Sequence, residues 1–206
     1  MNKRTMAVGA VALATAGFGL AQTSSADASG SRIRFDLQRS AGIAAAGCLP
    51  NAAGRVTVKH DGAVERMTID AWGLPGDTEF DTFVIQVPNF PFGVSWYQGD
   101  LETNRAGRAH QEYVGRFNQE TFAIAPNTAP APSVHSSPTP DATTNPAFGP
   151  IHTFHIGIWF NSPADAAKAG CSGATTPFNG EHNAGVQVFN TAQFPATAGP
   201  LGTLEP

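Results

Sequence analysis

Apolar and polar residues alternate with a period of two in several short runs of this chain. In residues 32–39 (RIRFDLQR), Ile33, Phe35 and Leu37 share one face and polar side chains the other, which predicts a half-buried strand. Residues 55–60 repeat the pattern with Val56 and Val58 inward. Asp61-Gly62 is a hairpin turn signal, and residues 64–72 return with Met67, Ile69 and Ala71 on one face. The Glu65-Arg66 step interrupts that alternation and predicts a bulge. Residues 80–87, 92–98, 109–117, 120–125 and 186–189 complete the candidate strands. Leu74-Pro75-Gly76-Asp77 has Pro and Gly where a type II turn takes them. Gly99-Asp100 and residues 104–107 read as further turns.

Residues 151–160 (IHTFHIGIWF) are apolar on both faces, the pattern of a central strand covered on both sides. Ser162 is a good N-cap, Pro163 suits the first helical position, Asp165 follows three residues after the cap, and Gly170 is placed to end two helical turns. Residues 40–53 predict a loop with at most a helical turn, and 193–206 a surface coil. Seven of the 16 prolines fall in residues 126–150, too many for a ladder or a helix, so that segment reads as a long surface loop. The sum is an all-β fold: a single-domain antiparallel β-sandwich with one short helix and a long Pro-rich loop.

Composition adds a compartment. Residues 1–28 have the plan of a secretory signal peptide: Lys3 and Arg4, then a small-residue apolar run, then Ala26-Asp27-Ala28 as a small-x-small cleavage pattern. No later run is long enough to span a bilayer. Residues 29–206 then form the mature, extracellular domain. Its two cysteines, Cys48 and Cys171, form a disulfide by default in an oxidising compartment. A nucleophilic Cys171 beside His182 is the alternative. The formal charge of −4 and the lack of a basic stripe exclude nucleic acid as a partner.

Three constellations could carry chemistry. The first is metal ligation by histidine, but His152 and His155 stand three apart on a strand and so face opposite sides. The string around His182 faintly resembles copper/zinc superoxide dismutase yet lacks that family's His-x-His, Asp ligand and late histidine. No metal and no cofactor are therefore expected. The second is a serine nucleophile. No G-x-S-x-G elbow is present. Ser95 would be the nucleophile, His152, His155 or His182 the base, and Asp100 or Glu181 the group that orients it. The third is an apolar ligand surface made of Phe90, Phe92, Trp96, Tyr97 and Trp159, clustered in two stretches.

Three segments, residues 87–103 (VPNFPFGVSWYQGDLET), 152–171 (HTFHIGIWFNSPADAAKAGC) and 176–188 (TPFNGEHNAGVQV), carry a resemblance that covers nearly the whole mature chain. The chain resembles small secreted actinobacterial proteins labelled cholesterol esterase. That resemblance implies a carboxylic ester hydrolase acting outside the cell on apolar esters such as cholesteryl esters. It supplies no catalytic residues. The other readings are a non-catalytic secreted β-sandwich that binds a lipid, a wall component or a protein and, ranked behind it, a metal-binding redox domain.

Overall fold

The computed structural model describes residues 27–117, 152–171, 173, 175–177 and 182–204. Residues 1–26 of the predicted signal peptide (1–28), the predicted strand at 120–125, the Pro-rich segment 126–150 and Glu181 lie outside the described residues. The strands are β1 (Asp27–Ser29), β2 (Arg32–Arg39), β3 (Ala53–Asp61), β4 (Val64–Trp72), β5 (Glu79–Ile85), β6 (Ser95–Glu102), β7 (Ala109–Gly115), β8 (His155–Phe160), β9 (Thr176–Pro177), β10 (Asn183–Ala184) and β11 (Gln187–Asn190). Two short helices, α1 (Ala41–Ala45) and α2 (Pro163–Lys168), and a 3-10 turn at Pro200–Thr203 complete the described elements. The fold is all-β and antiparallel, as the alternation predicts.

Eight strands run side by side in the order β6-β5-β8-β11-β2-β3-β4-β7, with β1 paired on the start of β2. The sheet curls until its two ends nearly meet. There the Tyr113 hydroxyl on β7 donates to the Asp100 carbonyl on β6 at 2.9 Å and lies 2.9 Å from Thr82 Oγ1 on β5. The two halves enclose one apolar core, with Ile33, Val56, Met67 and Ile69 from one half and Phe80, Ile158 and Phe160 from the other. Phe80 and Phe160 pack with ring centroids 4.9 Å apart. In β8 all six residues are buried, because both faces of this strand are covered.

The capping signals operate as read. Ser162 Oγ accepts the Asp165 N–H at 3.1 Å, and Gly170 takes φ +72° after α2. Cys48 and Cys171 are bonded across a separation of 123 residues, with Cα atoms 5.4 Å apart. The bridge ties the exit of α1 to the exit of α2.

Five details differ from the sequence reading. There is no bulge at Glu65-Arg66. The β3–β4 register is continuous, and Glu65 simply takes an inward position, its carboxylate receiving the Phe117 N–H and lying 3.6 Å from Arg116 Nε. In the turn after β4 the left-handed residues are Gly73 and Asp77, not Gly76. Gly76 is needed for closeness instead, since a Cβ there would sit 2.5 Å from the Arg105 carbonyl oxygen. Gly99-Asp100 is no turn: β6 runs through it to Glu102, with a register shift opposite Thr82/Phe83. A second short helix, α1, forms behind Ser40, whose Oγ accepts from Ile43 N. The tail is not all surface coil, because Leu201 and Leu204 enter the core.

Candidate functional site

Strand β5 divides its side chains between two environments. Phe80 and Val84 enter the main core, while Phe83 and Ile85 join a second, smaller cluster with Trp159, Ala184 and Phe92 on the opposite face. By the same alternation Glu79 and Asp81 project onto this second face. Gly157 makes room for the indole of Trp159 to lie back over β8, since a Cβ there would be 2.3 Å from the ring.

The loop between β5 and β6 folds over this face. Gln86 N donates to the Val94 carbonyl at 2.8 Å, Val87 N to the Phe92 carbonyl at 3.1 Å, and the Phe90-Pro91 peptide is cis. The Pro88 carbonyl accepts from Gln187 Nε2 and Asn190 Nδ2, each at 3.4 Å, which fastens the loop to β11. The result is a continuous row of rings. Phe90 meets Phe92 at 5.9 Å, Phe92 meets Trp159 at 4.9 Å, Trp159 meets Phe83 at 5.4 Å, and Phe83 meets Tyr97 at 5.5 Å. The row starts at Phe90, which is 81% exposed, passes the buried Trp159 and ends at Tyr97, which is exposed again.

At its Tyr97 end stand carboxyls. In the β5–β6 ladder Asp81 faces Asp100 and Glu79 faces Glu102. Like charges directly opposite are destabilising in a sheet, so this arrangement is not there for stability. Oxygens of Glu79, Asp81 and Asp100 all lie within 4.8 Å of one another. Asp81 is only 1% exposed, and among the described residues its Oδ2 has no hydrogen-bond partner. Burial, then the charges of Asp100 and Glu79, push its carboxyl up to about 7. Glu79 is also raised, chiefly by burial and then by Asp100 and Glu102, with His182 opposing. The Tyr97 hydroxyl donates to Asp100 Oδ1, and burial followed by that bond raises the phenol. Trp159, the β8 partner of Asp81 in the ladder, carries another buried polar atom without a partner among the described residues, its Nε1.

The structure brings together Phe92, Tyr97, Trp159 and Asp100 of the residues singled out in the sequence, with Phe90 at the rim. Trp96 is 44% exposed on β6. Ser95 and His155 both pair with Ile85, on opposite sides of it, so they lie two strand spacings apart, about 10 Å. The Ser95 hydroxyl donates to the Gly93 carbonyl at 3.5 Å. His155 is spent on structure: Nδ1 meets Thr191 Oγ1 at 2.9 Å, Nε2 meets the Pro195 carbonyl at 3.1 Å, and burial lowers its pKa. His152 is exposed and stacks on Phe154 at 4.7 Å. His182 Nε2 bonds Asn161 Oδ1 at 2.8 Å, at the Glu79 end of the face. Among the described residues, no hydrogen bond joins Ser95 to a histidine. The sequence reading passed over Asp81 and Glu79. The available signal was an acid alternating with Phe83 and Ile85 in an otherwise apolar strand.

Compared with known protein families, with curated proteins and with solved structures, the chain matches none.

Proposed function

We propose that this protein is a secreted carboxylic ester hydrolase for apolar esters, with Glu79, Asp81 and Asp100 as its reaction centre and the ring row as its acyl or sterol site. One observation carries the reading. A continuous aromatic row runs from an exposed loop tip, past the buried Trp159, to Tyr97, whose hydroxyl bonds Asp100, and Asp100 stands opposite the buried Asp81 in the ladder. Ligand sites of this kind combine apolar walls with a few converging polar groups. The leader pattern and the disulfide support an extracellular place of action.

In this reading a cluster carboxylate takes a proton from a water molecule as its oxygen bonds to the acyl carbon. The bond from that carbon to the alcohol oxygen then breaks, and the proton passes to the departing alkoxide, giving acid and alcohol. Tyr97 holds Asp100 in place. Neither a serine nucleophile nor a histidine base is required.

The test is release of free acid from cholesteryl oleate and from a short p-nitrophenyl ester. Turnover by the purified protein should fall about 100-fold or more in Asp81→Asn and stay unchanged in Ser95→Ala. Turnover that survives Asp81→Asn would remove the carboxyl centre. No turnover above a mock purification would put the non-catalytic lipid-, wall- or protein-binding module in its place.

A further inference from the structure

The carboxyl cluster has a second consequence, which stands apart from the ester reading. Three acids on neighbouring positions of two paired strands converge. Glu102 adds a fourth negative charge opposite Glu79. Acids often gather on protein surfaces, but one feature here is different. Asp81 is essentially buried, and among the described residues its Oδ2 has no donor. A buried carboxylate oxygen without a donor costs free energy that a folded chain ordinarily avoids. The side chain is also aimed into the cluster, because one of its oxygens lies within 4.8 Å of both Glu79 and Asp100.

We infer that Glu79, Asp81 and Asp100 bind a hard divalent cation of the calcium class. The donor set is all oxygen, which suits calcium or magnesium and not the softer metals that take nitrogen or sulfur. The spacing also fits. Calcium holds its oxygens at about 2.4 Å, so two of them on one ion stand at most about 5 Å apart. Tyr97 bonds one oxygen of Asp100 and leaves the other for an ion. Glu79 is half-buried and Asp100 exposed, so water can fill the remaining positions from the solvent side. An ion there would take an oxygen of Asp81 and offset the repulsion across the Asp81–Asp100 and Glu79–Glu102 pairs.

The test needs no substrate, so its outcome is separate from that of the hydrolase assay. Chelator-treated protein is titrated with calcium chloride by calorimetry and melted with and without the ion, at matched ionic strength. Expected is one ion per chain with a Kd of about 1 mM or tighter, the weak end of calcium sites in extracellular modules, and a rise in Tm. Asp81→Asn and Glu79→Gln should each weaken binding about tenfold or more, the effect of removing a charged ligand. Glu102→Gln, which keeps all three converging carboxyls, should retain binding. Circular dichroism checks that each variant folds. Absence of heat and of any Tm shift at about 10 mM calcium would overturn the inference. So would an equal shift in the wild type and in the Asp81→Asn and Glu79→Gln variants, because that would be a general salt effect.

Discussion

Asp81 on β5 stands directly across the ladder from Asp100 on β6, and the hydroxyl of Tyr97 from the same strand bonds the Asp100 carboxylate. A sheet that places two like charges face to face, one of them buried, has given up stability at that point. Such sacrifices concentrate at functional sites.

Asp81→Asn should therefore stabilise the protein. At about pH 8 and with chelator present, the gain should be roughly 1 kcal/mol, the scale of a cross-strand charge pair. Urea unfolding of wild type and variant measures it. A clear loss would mean that the carboxylate is structurally satisfied in solution.

Gly99 sets the register that brings Asp100 opposite Asp81. Its φ is +142°, and a Cβ there would meet the Tyr113 ring at 3.1 Å. Gly99→Ala should cost about 1–3 kcal/mol. It should also lower ester turnover more than a remote substitution of equal stability cost. Thermal melts and the hydrolysis assay, run in parallel on both variants, separate the two effects.

The disulfide closes a loop of 123 residues. In the chain-entropy account a loop of that length contributes about 4–5 kcal/mol. Reduction, or Cys48→Ser with Cys171→Ser, should lower Tm sharply. An unchanged Tm would mean that the reduced chain keeps the two ends together by packing alone.

His155 should make stability depend on pH. Burial depresses its folded-state pKa below the ordinary 6.5. The unfolded chain thus takes up a proton at a pH where the folded chain does not, so this contribution is complete above about 6.5 and is lost as pH falls through the folded value. Urea unfolding of wild type and His155→Gln at about pH 7.5 and about pH 5.5 should show the wild type losing its margin over the variant on acidification. A margin that grows in acid would contradict the buried, neutral imidazole.

Phe92 bridges the exposed and inner parts of the ring row. Phe92→Ala should raise KM for cholesteryl oleate about tenfold while sparing a short p-nitrophenyl ester, in line with the loss of one aromatic contact. Equal effects on both substrates would take the row out of the acyl or sterol site.

Much of the scaffold was legible in the order of residues. Alternation in residues 32–39, 55–60 and 64–72 marked three strands and their inward faces, because a pleated chain must turn every second side chain the same way. Ser162, Pro163 and Gly170 marked the ends of α2, because capping is satisfied within a few residues. The cysteine pair was legible from the count of two and the compartment that the N-terminal pattern predicts. Phe92, Tyr97, Trp159 and Asp100 were recognised as candidates, though not as neighbours.

What the order of residues alone determined was therefore local: which side chains face inward, where helices begin and end, and that the fold is β. The site was decided by pairing between distant segments. Asp81 meets Asp100 only because β5 and β6 lock with a shift at Gly99, and Asp81 meets Trp159 only because β8, more than seventy residues on, inserts beside β5. The burial that raises the Asp81 carboxyl exists only in the folded sheet, where β5 is paired with β6 on one side and β8 on the other. Register and burial depend on contacts that no local period encodes, so the carboxyl cluster became visible only once the sheet had closed around it.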